Sequence, residues 1–136
     1  MSDESTLKNK VVLITGGRRV GSALARMLAG RGAKIAMTYY TSRESIERVI
    51  GEIRASGGEG IAIQADLSRP DEAQTAVDET VRVFGRIDAL VNMASTFRRT
   101  EFARLIPRDF DEMIAANLAG PYHTTVAAGK QMLAQD

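Results

Sequence analysis

The chain has 136 residues, with 18 basic and 17 acidic side chains, a formal net charge of +1, 44% hydrophobic residues and no cysteine. That length suits one domain able to bury a core without covalent staples, and the interspersed charge offers no basic face for nucleic acid. The lack of cysteine excludes disulfides, thiolate metal sites and a cysteine nucleophile, and no apolar run approaches the ~18 residues of a membrane span.

Residues 1–9 are polar and lack the apolar centre of a secretory signal. They are expected to form a flexible tail ahead of a single domain over 10–136, in a cytoplasmic protein. Residues 11–14, Val-Val-Leu-Ile, form a continuous apolar run of the kind shown by a parallel strand buried on both faces. A glycine turn follows, and then a helix with Val20, Leu24, Met27 and Leu28 as its apolar stripe, ended by Gly30 and Gly32. The second strand spans 34–40. Thr41-Ser42-Arg43-Glu44 reads as a capping box for a helix whose stripe is Ile46, Val49, Ile50 and Ile53, stopped by Gly57-Gly58. A third strand over 60–65 leads to Ser68 and Asp71, a second capping box with Pro70 in the first turn. Val77, Val81 and Phe84 line the third helix, which Gly85 closes. The fourth strand spans 87–93, and a loop over 94–106 leads to a last helix running from 107 to near the end. Four strand–helix alternations with short connections imply an α/β domain, a parallel sheet carrying helices on both faces.

The segment Thr15-Gly16-Gly17-Arg18-Arg19-Val20-Gly21 lies between the first strand and the first helix. A strand, a tight turn and a helix N-terminus bring unsatisfied N–H groups and the positive end of a helix dipole to one place, which suits a phosphate. A P-loop is excluded, because Ser22-Ala23 stands where that loop needs lysine and a hydroxyl. The dinucleotide pattern G-x-G-x-x-G fits at Gly16 and Gly21, with Arg18 at its middle glycine; the alternative T-G-x-x-x-G-x-G is one residue too long for this segment. The competing explanation is purely structural: the glycines permit a sharp turn and close helix packing. An NAD site of this kind places an acidic residue about 20 positions beyond the glycines, on the ribose hydroxyl. Here no acid follows the second strand before Glu44, whereas Arg43, Arg18 and Arg19 are placed to surround a 2′-phosphate. The cofactor expected from these residues is NADP(H) in preference to NAD(H). In the last helix, Asn117 shares a face with Phe110, Met113 and Ile114, so its amide is expected to be buried and to need a partner. Pro121 cannot donate to the Asn117 carbonyl, and the helix should kink there.

The glycine segment, Asp66-Leu67-Ser68, Leu90-Val91-Asn92-Met93-Ala94-Ser95 and Asn117 fall in order along 10–136, and together they resemble the short-chain dehydrogenase/reductase family. The likeness is greatest to its pteridine-reductase-like members, which carry a basic residue in the glycine loop. The resemblance implies a Rossmann-type doubly wound parallel sheet of four βα units, strand order 3-2-1-4, incomplete relative to the family. It implies that Gly16 and Gly21 cradle the pyrophosphate and that Arg18 or Arg19 holds the adenosine phosphate. Asp66 would accept from the adenine amino group with Leu67 against the ring, and Asn92 and Ala94 would run beside the ribose and nicotinamide. Asn117 would hold a water in the proton relay. Met93 and Ser95 depart from the family's Asn-Asn-Ala-Gly, and the glycine loop is one residue shorter than the family's.

The family transfers hydride between nicotinamide and a small-molecule carbonyl or alcohol, with a tyrosine as acid/base and a lysine four residues on. Four residues after Tyr39, Tyr40 and Tyr122 stand Arg43, Glu44 and Val126, so no Tyr-x-x-x-Lys occurs. The expected function is an NAD(P)-dependent oxidoreductase present as its cofactor-binding part, inactive alone; the alternative is a non-catalytic dinucleotide-binding or regulatory partner subunit. A phosphoacceptor receiver domain is excluded, since Thr15-Gly16-Gly17 stands where it needs acids. Without a fifth strand the edge of the fourth should be open. The apolar Phe110, Ile114, Leu118, Val126, Met132 and Leu133 should be partly exposed, in a region that makes subunit contacts in a family tending to homo-oligomers.

Overall fold

Residues 7–135 are described by the computed structural model. Four parallel strands form one sheet: β1 (Val11–Thr15) and β2 (Lys34–Tyr39) lie inside, with β3 (Gly60–Gln64) beside β2 and β4 (Ala89–Asn92) beside β1. The order is thus 3-2-1-4. Thr15 pairs with Thr38 and with Asn92, and Tyr39 with Gln64, so the strands finish along one rim. All five residues of β1 are buried, as a strand covered on both faces requires.

Helices α1 (Val20–Gly30) and α2 (Arg43–Ala55) cover the face carrying Val12, Ile14, Ile35 and Met37. Helix α3 (Pro70–Phe84) covers the face carrying Leu13, Ala36 and Ile63, together with Ala127 and Ala128 of the last helix. The stripe expected for α2 is realised, with Ile46, Val49, Ile50 and Ile53 all buried. That expected for α1 is not: Val20 is 67% and Met27 51% exposed, while Gly21, Ser22 and Ala25 face the sheet with Leu24 and Leu28 at the margin. Small residues one turn apart let this helix approach β1 closely, and that approach decides its rotation over the larger but more distant apolar side chains.

Neither expected capping box forms. Ser42 is the N-cap of α2, with no hydrogen bond from its side chain to the helix. Arg69 is the N-cap of α3, and the Ser68 hydroxyl donates instead to Asp66 Oδ1 at 2.6 Å, while Glu72 Oε2 accepts the Asp66 N–H at 2.6 Å. The C-terminus of α3 is as expected, with Gly85 at φ +84° and its N–H on the Val81 carbonyl.

The final helical region is three pieces, α4 (Pro107–Ile114), a π-helical stretch (Ala115–Ala119) and α5 (Gly120–Ala134). The kink expected from Pro121 takes this form. The Gly120 N–H reaches back five residues to the Ala115 carbonyl, a widening that accommodates a residue with no donor. The Gln135 amide beyond α5 pairs with both the N–H and the carbonyl of Ile87, tying the helix end to the approach to β4. Of the tail expected over 1–9, residues 1–6 lie outside the described residues; residues 7–9 make a turn, with the Asn9 N–H on the Gly32 carbonyl and Leu7 against the core.

Candidate functional site

The site begins at the end of β1. Gly16 and Gly17 take φ of +59° and +85°, the left-handed region that other residues adopt only under strain. A Cβ on Gly16 would lie 2.9 Å from the Ala94 Cα, one on Gly17 2.8 Å from the Gly21 Cα, and one on Gly21 3.0 Å from the Gly16 carbonyl oxygen. The turn is therefore locked by backbone against backbone.

Two buried threonines hold it. Thr38 Oγ1 accepts the Gly16 N–H at 3.2 Å, and Thr15 Oγ1 accepts the N–H groups of Met93 and Ala94, each at 3.1 Å. These hydroxyls cross-link the ends of β1, β2 and β4 where the ladder stops. Ser22 Oγ donates to the Arg18 carbonyl at 2.8 Å and fixes the loop onto α1. Among the described residues, the N–H groups of Gly17, Arg18 and Arg19 have no protein acceptor.

Beyond the rim lies a cleft of about 1040 Å³. Gly17, Arg18 and Arg19 line it from the turn, Tyr40, Thr41, Ser42, Ser45 and Arg48 from the end of β2 and from α2. Asp66, Leu67 and Ser68 line it beyond β3, and Met93, Ala94, Ser95 and Thr96 beyond β4. The structure thus gathers Arg18, Arg19, Asp66, Leu67 and Ala94 around one space, with Gly16 and Gly21 packed directly behind the turn. Asp66 also serves its own loop, its Oδ1 accepting the Ser68 N–H at 3.1 Å.

Three other expected residues are placed differently. Arg43 Nε donates to Glu47 Oε1 at 2.8 Å, and Arg43 does not line the cleft. Its neighbour one helical turn on competes for the guanidinium and wins. Asn92 is turned to α5, its Oδ1 accepting from Thr124 Oγ1 at 2.6 Å and its Nδ2 donating to Thr125 Oγ1 at 3.0 Å. Asn117 is exposed rather than buried, because the π-helical stretch lifts it off the core. Its amide still finds the partner its chemistry requires, accepting the Thr96 N–H at 2.8 Å and donating to the Thr96 carbonyl at 2.9 Å. Asn117 therefore meets the cleft through Thr96.

Sequence reasoning missed Thr15, Thr38, Tyr40, Ser42, Ser45, Arg48 and Thr96. The signal for three of them was present: Ser42, Ser45 and Arg48 recur every third residue, along one side of the α2 stripe. Near the Thr96 end, Arg98 pairs with Asp109 and with Glu112 at 3.3 Å, and Arg108 with Glu112 at 2.6 Å. The Ile106 N–H bound to its carboxylate, together with Arg98, holds Asp109 below the usual carboxylate range despite partial desolvation. No group of His, Asp and Glu suited to a metal ion occurs among the described residues, nor does any helix long and apolar enough to cross a membrane.

A family model for short chain dehydrogenases matches residues 10–136. The chain belongs to this family. It is 38% identical over 133 residues to versicolorin reductase 1 of Aspergillus parasiticus, covering 97% of this chain and 51% of that protein. A 3-oxoacyl-[acyl-carrier-protein] reductase of Synechocystis is 39% identical over 132 residues, covering 96% of this chain and 53% of that one. Among solved structures, a short chain dehydrogenase from Burkholderia cenocepacia in complex with NADP matches with a TM-score of 0.87 at 38% identity, over 93% of this chain and 52% of that one. A dehydrogenase/reductase from Sinorhizobium meliloti matches with a TM-score of 0.88 at 34% identity, over 96% and 52%. The chain spans about half the length of the curated relatives it matches. The family resemblance drawn from the glycine segment and the asparagines is borne out, as is the Rossmann-type sheet in the order 3-2-1-4.

Proposed function

We propose that this chain is the NADP(H)-holding part of an oxidoreductase acting on a small-molecule carbonyl or alcohol. The observation that carries the reading is the wall of the cleft beyond β2. Tyr40, Thr41 and Ser42 stand there opposite Arg18 and Arg19, and no carboxylate from the β2–α2 connection lines the cleft. A ribose diol would be met by an acid at that place, a phosphate by cations.

The residues fit the cofactor. A turn with no room for a Cβ at Gly16, Gly17 or Gly21, and with the N–H groups of Gly17, Arg18 and Arg19 free of acceptors among the described residues, suits a pyrophosphate at the start of α1. Arg18 and Arg19 would take the adenosine phosphate, Asp66 and Leu67 the adenine, and Ala94 the ribose and nicotinamide end, with Gly16 and Gly21 permitting the approach. Asn92 and Asn117 act as positioning residues, through Thr124 and Thr125 in one case and through Thr96 in the other. The bound nicotinamide would supply hydride transfer. The complex of the Burkholderia dehydrogenase with NADP supports the same preference.

Calorimetric titration of the 136-residue chain with NADPH and NADH tests this. The expected result is NADPH binding about tenfold tighter or more, roughly 1.4 kcal/mol. Equal affinities would overturn the preference, and binding of neither would overturn the cofactor. Because no Tyr-x-x-x-Lys occurs in these residues, the chain alone is expected not to consume NADPH with any carbonyl compound; measured turnover would refute that. The reading as a non-catalytic partner subunit is favoured by the exposed apolar side chains of α4 and α5. Sequencing the gene past codon 136 separates the two, a downstream Tyr-x-x-x-Lys supporting the enzyme and a stop codon the partner subunit.

A further inference from the structure

Two arginines on α2 lie near the end of β2, and the structure treats them oppositely. Arg43 is tied to Glu47 and stays outside the cleft. Arg48 lines the cleft together with Ser42 and Ser45. A step of five residues along the helix sets the two arginines about 140° apart, and only one can face the strand ends. Side chains on a helix also lean toward its N-terminus, which carries the Arg48 guanidinium back over the first turn where Ser42 and Ser45 stand.

The neighbourhood leaves this cation without an ion pair among the described residues, although its charge, after that of Arg26, helps hold Glu52 below the usual carboxylate range. Glu52, one turn after Arg48, is engaged by Arg26 of α1 at 2.6 Å. Glu44, one turn before, does not line the cleft, and among the described residues neither it nor any other acid forms an ion pair with Arg48. Ser42, although it is the N-cap, makes no side-chain hydrogen bond to its helix. A guanidinium and two serine hydroxyls on α2 thus share the cleft with Arg18 and Arg19 of the glycine turn. On this side of the cleft the cations and hydroxyl donors come without a carboxylate, those of Asp66 and Glu112 entering from beyond β3 and from α4; such a cluster suits a dianionic phosphate monoester better than a sugar diol.

Resting on the reading of the cleft as an NADP(H) site, we propose that Arg48, and not Arg43, is the residue of α2 that selects for the 2′-phosphate, with Ser42 and Ser45 as its accessory donors. Arg48 reads the presence of the monoester and contributes nothing to the pyrophosphate, which lies at the glycine turn. Its removal therefore changes discrimination and leaves the binding of the common part of the cofactor intact.

The test uses the 136-residue chain with four probes: NADPH, NADH, adenosine 2′,5′-bisphosphate and adenosine 5′-monophosphate, each titrated calorimetrically. Arg48→Gln is expected to weaken NADPH and the bisphosphate about tenfold and to leave NADH and the monophosphate within about twofold, since a charge-assisted contact to phosphate is lost and nothing else. Ser45→Ala, a change small enough to leave the helix intact, is expected to weaken the same two ligands about threefold. Arg43→Gln is expected to leave all four within about twofold. A wild-type chain that discriminates while Arg48→Gln discriminates equally well overturns the assignment of Arg48 alone. Loss of the preference in Arg43→Gln overturns it too. A wild-type chain that binds NADPH no tighter than NADH overturns the functional reading and this inference with it. Should Arg48→Gln fail to fold, judged by its melting curve, Ser45→Ala and Arg48→Lys decide: no selective loss in the first and a full loss of affinity for all four ligands in the second would refute the proposal.

Discussion

Gly16 and Gly57 both take positive φ, +59° and +87°, yet their surroundings differ: a Cβ on Gly57 meets nothing within 4 Å, whereas one on Gly16 meets the Ala94 Cα at 2.9 Å. Gly57→Ala should therefore cost only the backbone strain, about 1 kcal/mol. Gly16→Ala adds a backbone clash at the junction of β1 and β4, so it should cost about 2 kcal/mol or more and also abolish dinucleotide binding. Urea unfolding of both variants, with NADPH titration of each, checks this; equal costs would show that the close approach is not tight. Asp88 shows the same local logic in charge. Burial alone would push its carboxyl up, but the Val11 N–H, Arg86 and Lys10 all favour the anion, and the net result lies below the usual carboxylate range. A carboxyl depressed in the folded chain stabilises it above the unfolded value of about 3.9, and that stability is lost as pH falls through the lower folded value. Asp88→Asn should then cost about 1 kcal/mol at pH 7, with the gap from wild type closing on acidification. A gap unchanged in acid would mean that the charge is not its source.

The last helical region shows how one residue propagates through an element. Pro121 removes a donor, the chain widens into the π-helical stretch Ala115–Ala119, and Asn117 is thereby lifted to face Thr96. The side chain then acts as a surrogate strand residue, occupying both the N–H and the carbonyl of Thr96. Asn117→Ala should speed hydrogen exchange at the Thr96 amide about tenfold, the effect of losing roughly 1.4 kcal/mol of pairing, while β1 amides stay protected. Unchanged exchange at Thr96 would show that the pair does not hold the loop. The same region marks where sequence reasoning stopped. Strands β1 and β2 and the stripe of α2 were legible because burial on one or both faces writes itself as an apolar run or a period. The rotation of α1 was not, since it follows from the close approach of Gly21 and Ala25 rather than from the size of Val20 or Met27. The cap of α3 was not legible either, since Ser68 and Glu72 both bond to Asp66 instead of closing a capping box. In the site, glycines and the Asp66-Leu67 pair were readable as local patterns. Arg48 was not singled out, because proximity in sequence favours Arg43 and only the helix's own geometry favours Arg48.

At the scale of the molecule, the sheet is asymmetric in its protection. Among the described residues β4 pairs with one neighbour only, β1, and its residues are half-buried or exposed. On the adjoining helices Phe110 is 68% and Leu118 62% exposed, with Ile114 and Tyr122 also open to solvent. A free strand edge beside an apolar helical surface favours association, and a net charge of +1 provides little repulsion to oppose it. The 136-residue chain is therefore expected to associate with itself in a concentration-dependent way, measurable by sedimentation velocity between about 5 and 100 µM. Leu118→Glu should shift the population to monomer while moving the melting temperature little, because an exposed leucine contributes little to the core of its own chain. A charge on the outer face cannot, however, repair the edge of β4. If Leu118→Glu leaves association unchanged, the edge of β4 rather than the helical surface drives the contact. If the wild-type chain stays monomeric across the whole range, the exposed apolar side chains are too dispersed to act as a surface at all.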